Sequence, residues 1–325
     1  MTHEALYADS CFITAAAVAD AKRGPPWGAA LQRLLGLDQL PGKQPMVPSG
    51  AEARFRGTVG TAFDYRVRFY MPTTPGRKLV ADWGALETSF SSASVPDRFR
   101  WFIENLDELL GRVSVAGAPL TETDERLLCQ YCATLAEFEA AFRSPLYSPS
   151  IPRSNRKEKS PIEKEPLLAM ASPQVVDDVV SLSRSVPETL GQLIDAVTNR
   201  NVLYVPNPTF AGSLDVGGAD ADFVIGDTLF EVKTVSILDP AAVREALVQL
   251  VGYTLIDYSD QFGIRNVAVY FARHQWVESW PLWRVIFPVA DVVRHLDETE
   301  PTEKEISARL RAGRDGMRSA CAEGT

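Results

Sequence analysis

The stretch GGADADFVIGDTLFEVKTV, residues 217–235, decides the fold. Two runs rich in β-branched and aromatic residues flank Gly226-Asp227, and a two-residue connection with glycine first suits a type II′ hairpin turn. With that turn Ile225 pairs with Thr228, and the ladder runs back so that paired residue numbers sum to 453. Asp222 then falls opposite Glu231, and Asp220 opposite Lys233. Side chains alternate along a strand. Asp220, Asp222, Glu231 and Lys233 therefore share one face, while Phe223, Ile225, Phe230 and Val232 share the other, which is expected to be core.

Directly opposed strand positions bring Cβ atoms to roughly 4.5–5.5 Å, where like charges destabilise the pair. Two arrangements account for the opposed carboxylates. They can lie on a solvent face, with Lys233 paired to Asp220. Alternatively they can share a divalent cation, since hard cations take carboxylate oxygens. The flanking sequence favours the second. FEVKTV reads as a central strand, and PAAVREALVQLVGYTLIDYS (240–259) is a helix apolar nearly all round, which calls for burial. NVAVYFAR (266–273) reads as the next strand. Upstream, residues 172–200 read as helix interrupted at Pro187, and NVLYV (201–205) as a short strand. Strands separated by helices indicate an α/β sheet.

Asp222, eight residues, then Glu231-Val232-Lys233 resembles the PD-(D/E)XK nuclease superfamily, with Ala221 where the signature has proline. Gln249-Leu250-Val251-Gly252-Tyr253 resembles the Q-x-x-x-Y helix motif of its RecB-like branch. Gln249 and Tyr253 stand at i and i+4, hence on one helical face. A glutamine in so apolar a helix needs hydrogen-bond partners, and the strand carrying Lys233 is the obvious place for them. The resemblance covers about residues 185–290 and implies a restriction-endonuclease-like mixed sheet flanked by helices. It implies that Asp222 and Glu231, with the Val232 carbonyl, bind Mg²⁺ or Mn²⁺, and that Lys233 stands beside the attacking water. Gln249 would position Lys233 or a phosphate. Asp220 and Glu188 stand as further candidate ligands, and Tyr253 and Arg273 as candidate substrate contacts. Glu188 also follows Ser185 at capping-box spacing. GTAFD (60–64) has the G-x-x-x-H spacing of that branch with Asp64 in place of histidine, and reads as ordinary amphipathic helix.

Outward from the hairpin, residues 144–165 change composition abruptly: SPLYSPSIPRSNRKEKSP is rich in proline, serine and basic residues and reads as a linker or loop. Residues 1–143 read as a mostly helical accessory region, with helices over 25–37, 60–70, 100–113 and 121–143. The last has an apolar stripe of Leu127, Leu128, Tyr131, Leu135, Phe138 and Phe142, and Thr121 and Asp124 at capping-box spacing. The nuclease-like domain is expected over 166–325, with a polar tail that frays from about 300.

The whole chain has 325 residues and a net charge of −9. That balance argues against non-specific coating of nucleic acid, which draws on clustered Lys and Arg. It is compatible with an enzyme whose protein partner supplies affinity or specificity for DNA. No apolar run is long enough to span a bilayer, the first residues lack the pattern of a signal peptide, and four cysteines make no disulfide framework, so a cytoplasmic setting without membrane contact is expected. Cys129-x-x-Cys132 has no second pair, and its mid-helix position suits packing better than zinc or redox chemistry. Trp276, Trp280 and Trp283 can stack on bases, with core packing the better reading for at least two. His274 beside Arg273 can meet a phosphate or cap a loop. There is no Walker A loop and no GxGxxG. The expected function is metal-dependent hydrolysis of DNA phosphodiester bonds. The alternative is a nuclease fold without catalysis, serving as a DNA-binding or assembly module.

Overall fold

The structure, a computed structural model, describes residues 35–72, 79–89, 95–114, 120–143, 167–216, 218–287, 291–292, 294–295 and 299–323. The chain forms two compact units, Val47–Arg200 and Met1–Met46 with Asn201–Thr325. The division thus falls at residue 200 rather than in the 144–165 stretch, which lies outside the described residues, as does most of the helix expected over 25–37. Among the described residues no helix is long and apolar enough to cross a membrane.

The first unit is helical: α1 Arg56–Arg68, α2 Val80–Ser89, α3 Val95–Ser114, α4 Glu122–Arg143, α5 Pro173–Ser183 and α6 Val186–Thr198. The α4 helix packs against α1, α2 and α5. Leu128, Tyr131, Leu135 and Phe138 of the expected stripe are buried, whereas Phe142 is exposed. Thr121 caps α4 by accepting from the Asp124 N–H at 3.1 Å. Helix α2 approaches α4 so closely at Gly84 that a Cβ there would lie 1.7 Å from the Phe138 carbonyl oxygen. Buried charge is paired: the Arg66 guanidinium donates twice to Glu125, at 2.8 and 2.6 Å. Helix α5 belongs here because it packs on α1 and α4, burying Val175, Val176, Val179 and Leu182.

The second unit holds a five-stranded mixed sheet in sequential order: β1 Tyr204–Pro206, β2 Phe223–Ile225, β3 Thr228–Lys233, β4 Asn266–Phe271 and β5 Trp276–Pro281. Strands β1, β2 and β3 pair antiparallel, β3 and β4 parallel, β4 and β5 antiparallel. The parallel step needs a crossover, and α7 (Pro240–Ile256) supplies it. Its Pro240 start is capped by the Asp239 carboxylate, which accepts from the Ala242 N–H at 2.9 Å. Val243, Leu247, Leu250 and Val251 of α7 join Val224, Leu229, Val267, Val269 and Phe271 of the sheet in one core. Phe223 and Phe230, on the opposite face, are also buried and stack at 5.0 Å. Both faces of the central strands are covered, as the apolar flanks predict. Val232 departs from this, being only half-buried at the end of the ladder.

The short helix α8 (Trp283–Ile286) is followed by α9, Glu303–Glu323. The tail does not fray, as its composition predicts, but packs on α7 and α8. Leu310, Met317 and Cys321 lie four and seven residues apart and bury as one narrow stripe, while Arg314 donates to the Thr254 carbonyl at 3.2 Å and to Asp260 at 2.8 Å. A polar average conceals such a stripe. Leu35 and Leu37 bury in the same core, and Trp280 Nε1 donates to the Leu35 carbonyl at 2.9 Å, so residues 35–46 group with the sheet and not with the helices.

Candidate active site at the end of the central hairpin

The β2–β3 turn takes the expected form. Gly226 has φ +63°, where glycine is strain-free, and the ladder pairs Phe223 with Phe230, Val224 with Leu229 and Ile225 with Thr228. This is the register that puts Asp222 opposite Glu231. The ladder ends at Phe223. Instead of a backbone rung, the Asp222 carboxylate takes over: its Oδ2 accepts from the Val232 N–H at 2.6 Å. In a strand the N–H and C=O of one residue point to the same side, so the Val232 carbonyl also faces the space beyond β2. Ala221, the residue opposite, gives its own N–H to the Pro208 carbonyl at 3.3 Å.

Glu231 and Lys233, two residues apart on one strand face, are joined by an ion pair, Nζ to Oε1 at 2.7 Å. The face they share is the one packed by α7, not a solvent face. Lys233 Nζ also donates to Gln249 Oε1 at 2.8 Å, and Gln249 Nε2 donates to the Tyr253 hydroxyl at 2.7 Å. One turn of α7 thus fixes the ammonium from above, with Tyr253 held by ring stacking on Phe210 at 5.7 Å. The half-buried amide thus has one partner on the strand, Lys233, and one on its own helix, Tyr253.

Glu231 is 5% exposed, and its second oxygen, Oε2, is buried without a hydrogen-bond partner. Burial first, and the neighbouring Asp222 charge second, push its carboxyl up to about 8 against the pull of Lys233. Burial disfavours the Lys233 ammonium, but Glu231 and Asp222 outweigh it and leave its pKa above the usual lysine value. Lys233 is therefore a fixed cation that donates, and not a base.

The remaining candidates are distributed differently. Asp220, beyond the end of the β2–β3 ladder, bridges Thr209 on the β1 side, and its charge adds to the lift on Glu231. Glu188 is exposed in the first turn of α6, in the helical unit, and the Ser185 hydroxyl bonds the Leu182 carbonyl at 3.0 Å rather than capping that helix. Arg273 is buried where β4 ends, donating to the Thr234 carbonyl at 2.7 Å, so it ties down the chain just past Lys233. His274 beside it is 2% exposed. Trp280 and Trp283 are buried and Trp276 half-buried. In the helical unit Asp64 is ion-paired with Arg68, and burial pushes the Cys129 thiol up to about 12, so it holds no thiolate. Among the described residues no three His, Cys, Asp or Glu side chains converge as a metal cluster; the oxygen set at the hairpin is two carboxylates and a backbone carbonyl. The Asp222 clamp on Val232 has no sequence signal of its own, because it exists only where the ladder stops.

No protein-family model, no curated protein and no solved structure matches this chain.

Proposed function

We propose that the sheet-containing unit is a metal-dependent nuclease of the PD-(D/E)XK kind, with a restriction-endonuclease-like fold, that hydrolyses DNA phosphodiester bonds. One observation carries the reading. Lys233 is clamped between Glu231 and Gln249 while the second oxygen of buried Glu231 has no partner. A buried acceptor left unsatisfied costs about 1–3 kcal/mol, and a divalent cation is the species that would both satisfy it and neutralise the opposed Asp222. The residues fit such an ion: Asp222, Glu231 and the Val232 carbonyl offer hard oxygen ligands at the end of the hairpin.

The protein's own groups have distinct tasks in this reading. Asp222 holds the Val232 amide and so fixes the carbonyl of the same residue. Glu231 gives one oxygen to Lys233 and keeps the other for the ion. Lys233, charged throughout the neutral range, steadies the attacking water or the charge that develops on the phosphate. Gln249 and Tyr253 hold the ammonium in place. A bound Mg²⁺ or Mn²⁺ polarises the scissile phosphate and acidifies water. The net charge of −9 fits a protein partner that brings the DNA. The test is incubation with linear, circular and single-stranded DNA in Mg²⁺, Mn²⁺ or EDTA. Cation-dependent cleavage supports the reading. Tight binding of DNA without cleavage in any cation selects the assembly-module reading instead.

A further inference from the structure

Asn207 is the neighbour of Asp222 on the side away from Glu231. Strand β1 pairs Tyr204 with Ile225, Val205 with Val224 and Pro206 with Phe223, and Thr209 bridges Asp220 in the same register. Asn207 therefore stands opposite Asp222, and its N–H donates to the Asp222 carbonyl at 2.9 Å. Across three chain segments the row reads Asn207, Asp222, Glu231.

Asn207 is unusual in two ways. Its φ is +47°, although it precedes Pro208, which favours extended backbone in the residue before it. Asparagine tolerates left-handed backbone better than most residues, so the conformation alone accounts for the residue type. It does not account for the second feature: Asn207 Oδ1 is buried and has no hydrogen-bond partner. Glu231 Oε2, at the other end of the row, is orphaned in the same way. Both orphans are acceptor oxygens, on the two residues that flank Asp222 in the row. Buried acceptors lacking partners call for a ligand. A hydrated divalent cation satisfies both, because it takes hard oxygens directly and its bound waters present only donors.

We propose that Asn207 is a positioning residue of the cation site, its side-chain oxygen accepting from a water carried by the cation that Asp222 and Glu231 bind. The proposal rests on the cation reading above and adds to it a residue that neither the hairpin motif nor the helix motif contains.

Calorimetric titration of the full chain with Mn²⁺, without DNA, tests it on wild type, Asn207→Gly, Asn207→Asp and Asp222→Asn. Glycine relieves the left-handed backbone, so Asn207→Gly is expected to melt at or above the wild-type temperature in EDTA. Its Mn²⁺ affinity is expected to fall by about tenfold or more, the usual loss for a partner outside the direct ligands. Asn207→Asp, which keeps an oxygen at the same place, should bind Mn²⁺ at least as tightly as wild type. Wild-type affinity in Asn207→Gly would overturn the proposal and reduce Asn207 to a backbone role, with the cation site intact as long as Asp222→Asn loses binding. Weaker binding by Asn207→Asp than by wild type would overturn it too. Absence of Mn²⁺ binding by wild type would overturn both this proposal and the cation reading.

Discussion

Replacing Glu231 by glutamine removes a charge that the folded chain holds at a cost. Burial and Asp222 lift this carboxyl from an ordinary 4.5 to about 8. A folded-state pKa above the unfolded value means that the folded protein binds the proton more tightly. The contribution to stability is therefore full below about 4.5 and is lost as the pH rises towards 8. For one proton the slope in that window is about 1.4 kcal/mol per pH unit, a total on the order of 5 kcal/mol. The side chain is 6% exposed, so water screens little of this. Glutamine preserves the shape and an acceptor for Lys233 but has no proton to lose. It also gives the ammonium no ionic partner once the wild-type carboxyl has ionised, so the difference in slope between the two proteins, and not the offset, is the readout. Urea unfolding in EDTA from pH 5 to pH 9 should show wild-type stability falling relative to Glu231→Gln up to about pH 8 and levelling above it. Adding Mn²⁺ at about 100 times its Kd at pH 8 should restore wild type by about 2.7 kcal/mol and leave the variant nearly unmoved. Parallel pH profiles in EDTA would refute the claim that Glu231 is a buried, lifted carboxylate, and equal Mn²⁺ stabilisation would refute its place as a ligand.

Two further outcomes follow from the same geometry. Asp222→Asn keeps an acceptor for the Val232 N–H but loses the charge, so it should fold and melt near the wild-type temperature in EDTA while losing most of the upward shift that Mn²⁺ gives wild type; an unchanged shift by scanning calorimetry counts against Asp222 as a ligand. Gln249→Leu exchanges a half-buried amide for an apolar group of similar size in an apolar helix, so its melting temperature should hold or rise, while cleavage falls at least about tenfold, roughly 1.4 kcal/mol of transition-state stabilisation, because Lys233 loses its clamp; full activity in a more stable variant would remove Gln249 from the site.

The parts of this structure that local chemistry dictates were legible in the sequence. Gly226-Asp227 admits one tight turn, and that turn sets the whole β2–β3 register. The i, i+4 spacing of Gln249 and Tyr253 puts both on one face, and burial of the helix leaves the amide few places to go other than Lys233. What was not legible depends on where pairing stops. Asp220 is three residues beyond the last rung of the hairpin, where its one bridge is to Thr209 on the β1 side. Asn207 is left-handed although Pro208 follows it, which no pattern in YVPNPTF announces. WVESWP, with two exposed polar residues and a terminal proline, lacks a strand signature until β4 pairs with it. Helix α5 reads equally well as part of either unit, because an apolar stripe does not name the surface that receives it. Helix α9 has three buried apolar residues in 21 positions, too few to mark a packed helix by composition.

In the proposed site Lys233 serves chemistry on a phosphodiester at a cation bound by Asp222 and Glu231. Single-turnover cleavage of an end-labelled linear duplex, by wild type and Lys233→Ala in Mg²⁺ and in EDTA, measured beside DNA binding and melting temperature, tests it most directly. Wild type should cleave in Mg²⁺ and not in EDTA, and Lys233→Ala should fold, bind the same DNA and cleave it slower by orders of magnitude. Equal cleavage by the two proteins, or no cleavage by wild type in Mg²⁺ while both bind DNA tightly, would contradict it.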